Sequence, residues 1–244
     1  MARLMMDGDN GLDRRMSLGR NLTHGMLDRL GREIVTGAFD DAPFPTESDL
    51  AKRYGVSRSV TREAVKMLTA KGLLSARPRQ GTVIRPSSAW NLLDPDVLDW
   101  LLDRKLSLTL LRQFSELRVA IEPAAAALAA QAAGAAELER INRGIARMEA
   151  AERGEDDTLD ADIAFHIAVL NASGNPFFAQ FRRLVETALR TSIRFTNRIK
   201  GRTASVPAHA AVRDAIVARD PREAAERMRT IITDVVDLID GAPA

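Results

Sequence analysis

The 244-residue chain has no cysteine. Disulfides, thiolate metal sites and cysteine nucleophiles are therefore excluded. Histidine is almost as scarce: three residues, His24, His166 and His209, supply every imidazole available for chemistry. No run approaches the roughly 18 consecutive apolar residues of a membrane span. Residues 1–20 are polar without an apolar core segment, so they do not read as a secretory signal, and the expected location is the cytoplasm. A strong excess of one charge is also missing, since the formal net charge is +2. The isoelectric point of about 9.3 is a weak guide to partners. Thirty of the 35 basic residues are arginine, which keeps its charge to high pH, so a small excess survives a long climb.

What is present is an uneven distribution. Residues 22–86 hold 11 Lys/Arg against 7 Asp/Glu, net +4, whereas residues 87–244 hold 20 against 23, net −3. A basic head on an acidic body is expected when one domain meets phosphate and the other does not. At about 100–200 residues per domain, the length fits one large or two modest domains.

The apolar pattern divides the chain in the same way. Residues 1–21 lack periodicity and read as a flexible arm. Met26, Leu27, Leu30 and Ile34 then mark one face of a helix that Gly37 ends. Thr46 opens a helix to about Tyr54, stopped by Gly55. Ser57 opens the next, about Arg58–Ala70, which ends before Gly72. Two short helices around a Gly-containing turn form a helix-turn-helix pattern. Two short strands, Leu73–Ala76 and Thr82–Ile84, flank the basic turn Arg77-Pro78-Arg79-Gln80-Gly81, and such a hairpin is a wing. The predicted winged helix-turn-helix domain covers 22–86, a linker covers 87–93, and an all-α bundle covers 94–240. Asp94-Pro95, Asn175-Pro176 and Asp220-Pro221 each place a capping residue before a proline at the first helical position. The expected bundle has seven helices. They begin at the first and last of these caps and at about 107–133, 135–152, 157–171, 176–199 and 206–218. The fold class is mainly α.

On the helix at 58–70, Arg58, Ser59, Arg62 and Lys66 share one side, with Val60, Ala64, Met67 and Leu68 opposite. Arginine there can grip guanine or phosphate. Such a stripe is also the ordinary solvated face of an amphipathic helix. The preceding turn, the wing and the regional charge favour DNA. Asp162 and His166 are four apart and share a helix face, so they can hold a divalent ion with His209 arriving from another helix. From spacing alone, a helix-face Asp–His pair is the commoner arrangement. A buried Arg118 would require a partner. It can take an effector carboxylate by a bidentate fork or pair internally with Glu122 at i+4. Arg190, Arg194 and Arg198 form a further row, of which Arg194 is a candidate for an effector pocket.

The run FPTESDLAKRYGVSRSVTREAVKML from Phe44 to Leu68, with Gly72-Leu73 and Gly81-Thr82-Val83 after it, resembles the winged helix-turn-helix of GntR-type bacterial regulators. That resemblance implies DNA contacts from Arg58, Ser59, Arg62, Gln80 and Gly81. Some relatives carry a basic residue at the position of Ser48, so one charged contact is absent. The second domain resembles the FCD-type effector domain of the FadR branch. The matching segments are Arg118–Pro123, Asp162–His166, Ala172–Pro176, and His209 with Ala215, Ile216 and Asp220. This resemblance implies a divalent metal (Zn²⁺, Ni²⁺ or Mn²⁺) on Asp162, His166 and His209, and an effector near Arg118. Relatives with the full ligand set place a further histidine where this chain has Ile231. The segment Trp90–Trp100 resembles the interdomain segment of galactonate-operon repressors, which implies a sugar-acid effector. The resulting expectation is a homodimeric, ligand-responsive regulator of palindromic operator DNA, a repressor and not an enzyme. The alternatives are a metal-dependent enzyme fused to a DNA-binding domain and an architectural DNA-binding protein without a ligand.

Overall fold

The computed structural model describes residues 9–77, 81–104, 107–199 and 204–240. The chain divides into two compact units, Met1–Lys105 and Leu106–Ala244.

The first unit contains α1 (Asp9–Val35), α2 (Glu47–Tyr54), α3 (Arg58–Ala70), β1 (Leu74–Arg77), β2 (Gly81–Ile84) and α4 (Pro95–Leu101). The face Met26, Leu27, Leu30 and Ile34 is buried as expected. The N-terminal boundary differs from the expectation of an arm over 1–21, because α1 starts at Asp9. Once a helix is anchored at one end, each further residue adds a hydrogen bond at little cost, and residues 9–21 hold no proline to stop it. Thr46 caps α2 by accepting the Asp49 N–H, and Ser57 caps α3 by accepting the Val60 N–H. Gly55 joins the two helices at φ 65°, left-handed backbone that a side chain would disfavour. The strands pair antiparallel, with Leu74 opposite Ile84 and Arg77 opposite Gly81, as a wing requires.

The division also differs from the expectation of a linker at 87–93 and a second domain from 94, because α4 lies in the first unit. Trp100 is the reason. Its indole is 1% exposed and covers Gly31, where a Cβ would come within 2.4–2.5 Å of the ring. Its Nε1–H donates to Asp28 Oδ1 at 2.9 Å. At the other end of α4, Lys71 Nζ donates to both Asp94 oxygens at 2.8 Å and meets Asp96 at 2.8 Å. Trp90 is half-buried and donates to the Arg85 carbonyl.

The second unit is helical: α5 (Leu108–Ala132), α6 (Ala135–Glu152), α7 (Thr158–Ala172), α8 (Pro176–Gln180), α9 (Arg182–Ile199), α10 (Val206–Val217) and α11 (Pro221–Asp240). The helix expected over 176–199 is two, broken at Phe181, so among the described residues eight helices follow residue 94 where seven were expected. All three capped prolines begin helices. Among the described residues, two larger apolar clusters make up most of the core, with a small one around Leu111. Of the larger two, one draws on α5, α6, α7, α10 and α11; the other draws on α5, α7 and α9. α7 belongs to both and buries most of its surface, leaving a narrow face of Asp160, Ala164, Ile167 and Asn171 exposed or half-buried. α6 approaches it closely at Gly144, where a Cβ would lie 2.9 Å from the Phe165 Cα. Asp162 and His166, on the buried side of α7, therefore have no route to water.

Candidate metal centre and nucleic-acid interface

The first candidate site is the outer face of α3. Arg58, Ser59, Arg62 and Lys66 are all exposed, whereas Thr61, Ala64, Val65 and Leu68 are buried. Val60 and Met67, expected on the packed side, are only half-buried, and Thr61 and Val65 take their place. Arg58 Nη2 reaches Ser48 Oγ at 3.5 Å, and Arg62 Nε meets Glu47 Oε2 at 3.4 Å. Both contacts come from the first turn of α2 and are solvent-exposed, which makes them weak and easily exchanged for phosphate or base partners. Gly81 is exposed at the start of β2. Gln80, the other expected wing residue, lies outside the described residues.

The second candidate site is buried in the bundle. Asp162 and His166 sit one turn apart on α7, and His209 comes from α10, 2% exposed. Their ligating atoms lie within 4.8 Å of one another, which makes them a group able to hold a metal ion. His209 Nε2 is 3.0 Å from Asp162 Oδ1 and 3.3 Å from His166 Nε2, which is 3.6 Å from Asp162 Oδ1. The far sides of the rings decide what these atoms are. His209 Nδ1 is 2.8 Å from the Ser205 carbonyl, which can only accept, so that nitrogen carries the proton. His166 Nδ1 meets Glu122 Oε2. The other Glu122 oxygen accepts Arg118 Nε–H at 2.5 Å. Burial opposes ionisation of Glu122, but the Arg118 guanidinium, together with His166, outweighs it and holds the carboxyl below its ordinary range. An ionised Glu122 accepts, so His166 Nδ1 also carries its proton. With both Nδ1 atoms engaged, the two Nε2 atoms are the ones that face the Asp162 oxygen, and Asp162 Oδ1, fully buried, makes no hydrogen bond of normal geometry.

A divalent cation fits this arrangement. Bonds of about 2.0–2.1 Å meeting at about 90–110° would place donors roughly 2.9–3.4 Å apart. Two of the observed separations, 3.0 and 3.3 Å, fall in that range, and the third, 3.6 Å, lies just above it. A long contact from Arg118 Nη2 to His166 Nε2, at 3.5 Å, is a donor at the edge of the cluster. Ile231, the position at which the resemblance implies a further histidine in relatives, is half-buried and packs on the apolar core. The donor set is therefore two imidazoles and one carboxylate.

Arg118 itself is 2% exposed and ion-paired with Glu122, the internal partner weighed from the sequence. Arg190 pairs with Glu186 and Asp160 on the bundle surface. The Arg194 side chain lies outside the described residues. The sequence reading missed the link from Glu122 to His166, 44 positions away. The available signal was a carboxylate at position 122 inside an otherwise alanine-rich stretch, followed by Pro123.

A basic recognition helix with a wing, joined in one chain to a helical bundle with a buried donor cluster, defines a two-domain transcription regulator. The profile for bacterial regulatory proteins of the gntR family matches residues 24–84, and that for the FCD domain matches residues 113–234. The chain is 32% identical over 204 residues to the uncharacterized HTH-type transcriptional regulator YieP of Escherichia coli, covering 82% of this chain and 88% of that protein. It is 32% identical over 217 residues to the galactonate operon transcriptional repressor of Escherichia coli, covering 87% and 94%. The solved structure of Lar from Listeria monocytogenes shares the fold, with a TM-score of 0.55 at 19% identity over 91% of this chain and 97% of that one. The chain belongs to the GntR family of bacterial transcription regulators, in its FadR-type branch with an FCD effector-binding domain. Both of these Escherichia coli relatives are named as transcriptional regulators.

Proposed function

We propose that this protein is a cytoplasmic, homodimeric repressor of a sugar-acid catabolic operon, released from its operator by a carboxylate such as galactonate. The observation that carries the reading is the likeness to the galactonate operon repressor across 94% of that protein's length. Two winged domains related by a two-fold axis suit a palindromic site. Arg58, Ser59 and Arg62 would enter the major groove, with Gln80 and Gly81 at the wing.

In the FCD domain, Asp162, His166 and His209 would hold a divalent metal, Zn²⁺, Ni²⁺ or Mn²⁺, supported by the orphaned Asp162 oxygen. When bound, the ion supplies a Lewis-acidic centre for an anionic ligand in a dry site. Arg118 lies beside the cluster with its Nη2 toward His166, and adds positive charge for a carboxylate. Arg194 is the second effector candidate. The effector acts by binding the DNA-free arrangement more tightly than the DNA-bound one.

The test is fluorescence anisotropy on the DNA upstream of this protein's own gene, with Zn²⁺ present. D-galactonate, D-gluconate and D-glucuronate are titrated in turn. Galactonate is expected to weaken DNA binding at least about tenfold, a coupling of roughly 1.4 kcal/mol. Unchanged affinity with all three acids would refute the sugar-acid reading while leaving the regulator class intact.

A further inference from the structure

The donor cluster depends on an imidazole orientation that its own atoms do not set. A histidine ring can flip or exchange its proton between nitrogens, and either change would turn an N–H toward the other donors. His209 is fixed by its own helix, because Ser205, four residues earlier, offers its carbonyl to Nδ1. His166 has no such local partner in its contacts. Its Nδ1 meets Glu122, a residue of α5.

We propose that Glu122 is the positioning residue of the metal centre, and that Arg118, paired with it on α5, holds its carboxylate in place. The order Arg118–Glu122–His166 is built by two unrelated features. Arg118 and Glu122 are one helical turn apart on α5, which aligns the guanidinium with Oε1 at 2.5 Å. α5 packs against α7, which brings Oε2 to His166. Every member is nearly inaccessible, with side chains 2%, 1% and 1% exposed. A lone buried carboxylate would be costly, and an ion pair that also binds an imidazole satisfies both oxygens. A ligating histidine commonly donates its second N–H to a carboxylate in this way, which fixes the ring and makes it a better donor. Glu122 does not touch the ion; it acts through His166. Pro123 follows directly and lacks an N–H, so α5 makes no hydrogen bond to the Val119 carbonyl from that position.

This inference rests on the metal reading, and the experiment separates the two. First, the full-length protein is labelled with ¹⁵N and its three imidazoles are assigned. In the metal-free wild type, His166 is expected in the Nδ1–H form. The Nε2–H form in the wild type would overturn the proposal without any variant being made. Second, Zn²⁺ alone is titrated against a competing chelator in wild type and Glu122→Gln. Glutamine keeps the shape but has an N–H₂ that can face His166, so the ring is no longer held in one form. The variant is expected to bind Zn²⁺ about 10–100-fold more weakly and to show a mixed or reversed His166 tautomer.

A purely structural role would lower the unfolding temperature and leave both readouts unmoved, and Zn²⁺ affinity within about twofold of wild type would overturn the proposal. Should Glu122→Gln fail to fold, Arg118→Lys, which keeps the counter-ion but loses the planar fork, is expected to shift affinity in the same direction by less. If the wild type binds no Zn²⁺, Ni²⁺ or Mn²⁺ while His166 is Nδ1–H, the metal reading falls. Glu122 as the residue that orients His166 then stands.

Discussion

Arg58 and Arg62 lie four residues apart on the exposed side of α3 and, among the described residues, make long surface contacts to Ser48 and Glu47. Pairs of that kind contribute roughly 0–1 kcal/mol, so removing the arginines should leave the unit folded. Arg62→Ala is expected to abolish operator binding in a gel-shift assay, with an unchanged unfolding transition. A lost transition would reassign Arg62 to packing. Arg58→Ala is expected to reduce discrimination between operator and random DNA by about 1–3 kcal/mol. Equal weakening on both DNAs would make it a phosphate contact instead. At the other site, Asp162 supplies the one carboxylate of the donor set. Asp162→Asn replaces one acceptor oxygen by a donor N–H₂ in a fully buried place, and untagged variant protein is expected to hold no stoichiometric metal by elemental analysis. Full metal occupancy in that variant would move the site elsewhere.

At the scale of elements, two contacts show how helices are held in register. α1 and α4 meet where Gly31 lies under the Trp100 ring. Gly31→Ala gains about 1 kcal/mol of helix propensity but drives a Cβ into a buried indole that has no room to move. Overpacking of that kind costs about 1–3 kcal/mol. The net expectation is a lower unfolding midpoint followed by tryptophan fluorescence. A raised midpoint would mean that the indole moves aside freely. In the bundle, Arg219 sits at φ 59°, unusual for a residue with a side chain. Its guanidinium donates to the Ala130 and Ala133 carbonyls at 3.1 and 2.7 Å, at the end of α5. Arg219→Gly loses the caps but relieves the backbone, whereas Arg219→Ala loses the caps and keeps the strain. The alanine variant should therefore be the less stable by about 1 kcal/mol in urea unfolding followed by far-UV circular dichroism. The reverse order would show that the backbone there is unstrained.

For the whole molecule, the two units differ in what reports on them. Both tryptophans, Trp90 and Trp100, fall in the first unit, and the donor cluster falls in the second. An ion that binds only the folded state at about 100 times its Kd adds roughly 2.7 kcal/mol. For a domain of this size, that corresponds to a shift of about 5–10 °C. Saturating Zn²⁺ should therefore raise the far-UV circular dichroism transition of the helical unit and move the tryptophan-fluorescence transition less. A chelator should reverse the change. Equal shifts in the two signals would show that the units unfold as one. Among the described residues, no helix is long and apolar enough to cross a membrane.

Local chemistry was enough to determine the DNA-reading unit. Thr46, Gly55 and Ser57 act within three or four residues of themselves, so helix starts, the turn and the exposed Arg58–Arg62 face were legible from spacing and capping alone. The three capped prolines were legible for the same reason. Residues Asp162 and His166 were legible as a pair because they are one helical turn apart. Periodicity cannot report which helix packs on which. That Trp100 ties α4 to α1 rather than to the bundle depends on a contact 72 residues apart in sequence. The meeting of His209 with His166, and of His166 with Glu122, spans 43 and 44 residues. Only the packing of α5, α7 and α10 decided these contacts, because Asp162 and His166 lie on the buried side of α7, where neighbouring helices bring their partners.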